Sequence, residues 1–203
     1  MISRQTWLGT ILNKTHSVRY PNPATRIGAE LPEAVVTSNI AQVYIYKADL
    51  RNAKKALSHS EDLFDAIGSE DFLPELERRW AEYYLGIRDD EKALAKIESS
   101  LAIARKNEAR LDEGISLRIA GEVYRLRADF EQSKAAFVAS LELLQELDSE
   151  YEAARSKLAI EALTAEVGQP INHDRLEAAV ATFTKLGAQI ELSEASQLLE
   201  DQE

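Results

Sequence analysis

A chain of 203 residues with 45% hydrophobic content can bury a sizeable core in one domain. Its formal net charge of −11 argues against nucleic acid as a partner, since phosphate binding needs concentrated Lys and Arg. The absence of cysteine excludes disulfides and thiolate metal sites and fits a reducing compartment.

Residues 1–31 form an N-terminal arm or cap. Trp7, Leu8, Ile11 and Leu12 make one face of a short helix, and Tyr20-Pro21-Asn22-Pro23 is extended or turned. The arm either folds over the first repeat or docks on another chain with Trp7 as its anchor. Pro32 suits a first helical position and opens a helix to about Lys47, followed by a partner from Leu50 to about Ala66. The pattern then predicts helices over 73–87 and 90–107, and over 110–127 and 130–147. A further helix begins at Ser149-Glu150, carries Leu158, Ala159, Ala162 and Leu163, and breaks at Val167-Gly168-Gln169-Pro170. Its partner, about 173–186, keeps Leu176, Ala179, Val180 and Phe183. A last helix carries Ile190, Leu192, Ala195, Leu198 and Leu199, with Glu191, Glu194 and Gln197 expected on a polar outer face. It either caps the core or pairs with another subunit. No apolar run approaches a membrane span, and the start MISRQTWLGTILNK lacks a secretory apolar core and cleavage site. A cytoplasmic protein is the expectation, and the start at Met1 suits a complete short protein and a piece of a longer one alike.

A period of forty residues organises these helices. Tyr44, Tyr84 and Tyr124 coincide, as do Ala41, Ala81 and Gly121; Ala53, Ala93 and Ser133; Leu57, Ile97 and Phe137; and Ser60, Ser100 and Ser140. Small residues let paired helices approach, and large ones fill the gap between them. Asp49, Asp89 and Asp129 fall where second helices begin and suit N-caps. Two helices cannot bury this much apolar surface alone, so units must stack.

The pattern resembles the tetratricopeptide repeat (TPR) family. Gly121 and Tyr124 match its small residue and aromatic on a first helix, and Ser133, Phe137 and Ser140 match its small, aromatic, small series on a second. The forty-residue length is similar to the longer repeats of kinesin light chains and bacterial signalling proteins. The resemblance implies an all-α, right-handed superhelical solenoid of antiparallel helix pairs, about nine helices in all. Residues 32–203 would be the repeat domain, with units near 32–70, 71–109, 110–148 and 149–187, and a capping helix over 188–200. Tyr44, Tyr84 and Tyr124 would occupy equivalent buried sites.

His16, His59 and His173 are scattered, and no HExxH, GxSxG, Walker or GxGxxG pattern occurs. Asp89-Asp90-Glu91 and Glu70-Asp71 lie at helix starts, where they complement the helix dipole. The expectation is no enzyme, no cofactor and no metal. The resemblance implies binding on a concave face lined by first helices, whose exposed residues would include Ser38, Asn39, Gln42, Arg78, Arg79, Glu82, Arg118, Glu122, Arg125 and Arg155. Arg78 and Arg118 stand one period apart, as do Glu82 and Glu122. They form either a groove for an acidic protein segment or a solvated face of i,i+4 Arg–Glu pairs. Of the clamp that chaperone-binding relatives use, only Asn39 is present, which disfavours chaperone tails. A protein–protein interaction scaffold is the first reading. The alternative is a ligand- or peptide-responsive sensor domain of a bacterial signalling or transcription-control system. The arm or the last helix would serve as any homodimer contact.

Overall fold

The computed structural model describes residues 23–68 and 70–200, with side chains from Glu30 onward. Residues 1–22 of the expected arm, Trp7 among them, lie outside the described residues, whereas residues 23–31 belong to the first helix. Within them the chain is all-helical: α1 (Pro23–Tyr46), α2 (Leu50–Ile67), α3 (Leu73–Gly86), α4 (Asp90–Lys106), α5 (Arg110–Leu126), α6 (Phe130–Glu146), α7 (Glu150–Glu166), α8 (His173–Leu186) and α9 (Gln189–Glu200). The expected boundaries hold to within a residue or two from α2 onward. The first helix differs, because Pro32 lies inside α1 rather than at its start. Pro32 removes the amide that would bond to the Gly28 carbonyl, and its ring crowds that carbonyl. Good helix formers flank it on both sides, and Pro23 takes the initiating position.

Local chemistry sets where each helix begins and ends. The side chains of Asp49, Asp89 and Asp129 accept the amides of Asn52, Lys92 and Gln132, each at 3.2 Å. The residue before each aspartate is left-handed: Ala48, Arg88 and Ala128 have φ of 54°, 58° and 58°, and Gly168 takes the equivalent place at 70°. These turns are too short for anything but a reversal, so paired helices run antiparallel.

The small residues do more than make room. Ser60, Ser100 and Ser140 donate to the carbonyls of Ala34, Pro74 and Gly114 at 2.9, 2.6 and 2.7 Å, tying each second helix to its own first. Ser100 and Ser140 also pair with Ser116 and Ser156 of the following unit, each at 2.8 Å. Gly121 lies flat against the Phe137 ring, so closely that a Cβ there would overlap it. Ser133 donates to the Gly121 carbonyl at 2.9 Å. Tyr44, Tyr84 and Tyr124 do sit in corresponding places, but half-buried rather than buried.

The fourth unit departs from the period for a visible reason. Where the others carry Ala41, Ala81 and Gly121, it carries Glu161, which is 1% exposed. Its carboxylate accepts the Asn172 amide at 2.7 Å and meets Arg175 at 2.8 Å. The longer turn before α8 is built around that buried acid.

Stacking is asymmetric. The odd-numbered helices pack on one another in sequence, α1 on α3, α3 on α5, α5 on α7 and α7 on α9. The even-numbered helices pack on their own and the next odd helix and do not pack on each other, although Lys96 of α4 reaches Glu61 of α2 at 3.5 Å. A layer packed on one side and fanned on the other must curve, with the odd helices inside. Exposed ion pairs join the ends of the second, third and fourth units' helices, Glu70–Lys106 at 2.7 Å, Arg110–Glu146 at 2.6 Å and Glu150–Lys185 at 2.6 Å.

Candidate functional site

The inner face is therefore built from the odd helices, as expected, but its residues are less exposed than expected. Arg78, Arg79 and Arg118 are 7%, 5% and 5% exposed, and Ser38 is also buried. Nor do Arg78 and Arg118 pair with Glu82 and Glu122 one turn away. Arg78 reaches Asp112 on α5, and Arg118 reaches Glu152 on α7, each at 3.0 Å. A long guanidinium on a closely stacked layer finds its carboxylate on the next helix, because there both groups leave water together.

Arg79 works as a clasp between α1 and α3. It donates to Ser38, to Asn39 at 2.7 Å and to Gln42 at 3.2 Å, and pairs with Glu75 on its own helix. Burial pulls its pKa down, against the opposing pull of Glu75. Four of the ten expected site residues (Ser38, Asn39, Gln42 and Arg79) thus form this joint, and Arg78 forms another.

Further along, Arg118, Glu122, Arg125 and Arg155 do come together. They line a cavity of about 380 Å³, with Tyr46 from α1 and Ile190, Glu191 and Glu194 from α9. Arg155 approaches Glu152 at 3.5 Å and Glu191 at 3.7 Å, and donates to the Tyr46 hydroxyl at 3.3 Å. Arg125 pairs with Glu122 at 2.8 Å and faces Glu166 at 3.6 Å. Burial raises the pKa of Glu122, with Arg125 and Arg118 opposing. Burial and the neighbouring Glu191 charge raise that of Glu194. Burial also lowers that of Arg118. Arg118 Nε, Glu82 Oε2 and Gln42 Nε2 are buried on this inner layer without a hydrogen-bond partner among the described residues. The charge of Glu82 is felt by both Arg118 and Arg155.

The architecture is similar to the crystal structure of BtubC (BKLC) from P. vanneervenii, with a TM-score of 0.56 and 16% identity over 89% of this chain and 90% of that one. The likeness is one of fold. This chain is a helical-repeat solenoid. No family model and no curated protein matches the sequence.

Tyr46, Asp112, Tyr151 and Glu152 went unnoticed in the sequence, and Glu191 and Glu194 were expected on the outer face of the last helix. Tyr151 donates to Glu191 at 2.6 Å, and burial, with this bond second, raises its pKa. Glu191 and Glu194 both line the cavity, Glu194 while staying exposed, because α9 stands as another first helix against α7 and α8. One signal was available: Asp112 follows Arg78, and Glu152 follows Arg118, by the same 34 residues. Among the described residues no group of acids and histidines is placed to hold a metal, and no helix is long and apolar enough to cross a membrane.

Proposed function

We propose that the solenoid is a non-catalytic interaction scaffold of the TPR kind that holds a protein segment in the cavity between its odd-numbered helices. The observation that carries this reading is the convergence of α1, α5, α7 and α9 on one charged cavity, with unsatisfied polar atoms buried on the same layer. Such atoms are costly to leave unpaired, and a bound segment would supply their partners.

The ion pairs bear on what the segment carries. Arg118 is held by Glu152, Arg125 by Glu122, and Arg155 by Glu152 and Glu191. An acidic segment, suggested by the recurring arginines, would have to displace these carboxylates. Glu82 keeps a buried unpartnered oxygen, and Glu194 is crowded by Glu191. The charge left over is negative, which favours a segment presenting Lys or Arg. The test is a titration of a captured partner segment against Glu82→Gln with Glu194→Gln, and separately against Arg125→Ala, at low and high salt. The expected result is salt-sensitive binding by wild type, and weaker, less salt-sensitive binding by the glutamine pair. Loss with Arg125→Ala alone would make the segment acidic. Unchanged binding in both would remove the cavity from consideration.

A second reading, a ligand-responsive regulatory domain, has one contact in its favour. The Arg155 bond to Tyr46 joins α7 to α1 across 109 residues of sequence. A ligand entering there would part the two helices and change the pitch of the stack. Distance measurement between labels on α1 and α7, with and without ligand, tests it; an unchanged distance rules it out.

A further inference from the structure

The repeat register exposes an uncovered face on α1. Val36, Ile40 and Val43 are 55%, 44% and 49% exposed. One period on, Leu76, Trp80 and Tyr83 are buried; two periods on, Ser116, Ala120 and Val123; three periods on, Ser156, Ile160 and Leu163. In those units the preceding even helix provides the cover, as the Ser100–Ser116 and Ser140–Ser156 contacts show. Nothing among the described residues plays that part for α1. Three β-branched residues along one exposed helical stripe are poor choices for a face left in water.

We propose that residues 1–22 cover this face, with Trp7, Leu8, Ile11 and Leu12 standing where a preceding even helix would stand. Three observations select this occupant over a second copy of the chain. The first is reach. Val36 lies 13 residues into α1, about 20 Å from its start at 1.5 Å per residue, and the ten residues between Leu12 and Pro23 can span about 30 Å. The second is charge. Residues 1–22 carry Arg4, Lys14 and Arg19 and no carboxylate, in a chain whose net charge is −11, and Glu33 borders the stripe. The third is size. Three half-exposed side chains offer on the order of a few hundred Å², enough for one short helix but below the roughly 800 Å² per partner of a stable dimer.

The cysteine-free chain allows a direct test. Bimane attached at Ile40→Cys, or beside the stripe at Glu33→Cys, is quenched by a tryptophan in van der Waals contact. The expected result is a fluorescence drop of roughly twofold or more, since quenching requires such contact. Trp7→Phe should relieve it, dilution should leave it unchanged, and a label at Lys54→Cys on α2 should not show it. The Glu33→Cys position keeps the test valid if a label at Ile40→Cys displaces the segment. Quenching indifferent to Trp7→Phe at both positions overturns the proposal. Quenching that appears only as protein concentration rises also overturns it and assigns the face to a second copy.

Discussion

At the scale of single residues, burial separates ion pairs that look alike in sequence. Arg118 is nearly sealed off, while Lys106 and Glu70 are 68% and 60% exposed at their side chains. Breaking a buried pair strands a charge, so Arg118→Ala should destabilise the fold by roughly 3 kcal/mol. Lys106→Ala should cost at most about 1 kcal/mol. Urea melts of both variants check the contrast. For that reason a double substitution of Arg78 and Arg118 cannot probe binding alone, contrary to what exposed i,i+4 pairs would have allowed. Glu122 makes a prediction of the opposite sign. Burial raises its folded pKa above the ordinary 4.5, so its contribution to stability is fully present below that value and is lost as pH rises through the folded pKa. Glu122→Gln has no such loss. Its melting temperature relative to wild type should therefore climb as pH rises above 4.5, as a series of thermal melts would show.

At the scale of elements, helix limits were legible because the signals that set them are local. Asp129 caps the amide of Gln132, three residues on, and the sequence shows both. Pro32 was misread for the same reason, since a local rule placed it at a helix start that lies at Pro23. Side-chain partners were not legible, because Arg78 and Asp112 meet only when one unit stacks on the next. Buried Glu161 was hidden likewise: it is unremarkable until the period reveals that a small residue belongs there. The turns allow a test of how far local rules extend. Gly168 adopts the left-handed conformation freely, whereas Ala128 holds it at φ 58° against its own Cβ. Ala128→Gly should raise stability by about 0.5–1 kcal/mol, read as a higher denaturation midpoint with an unchanged slope.

At the scale of the whole molecule, stability is close to a sum over units and their junctions, because helices pack only within a unit or on the next one, the Arg155–Tyr46 bond being the one longer-range contact described above. That arrangement makes similar units a hazard during folding, when a helix can take up with the wrong mate. The end-to-end ion pairs bear on this choice. Their polarity alternates: Glu70 meets Lys106, Arg110 meets Glu146, and Glu150 meets Lys185. If α3 joined α6, Glu70 would face Glu146; if α5 joined α4, Arg110 would face Lys106. Reversing the middle pair, with Arg110→Glu and Glu146→Lys, keeps every native attraction and removes both repulsions. The melting temperature should stay nearly unchanged, because exposed pairs contribute little. Refolding from denaturant at low ionic strength should instead yield more exchanged dimer than wild type, measured by size-exclusion chromatography, and salt should erase the difference. The alternating charges then act as an address on the last three units, consulted while the chain sorts its partners and silent once it has.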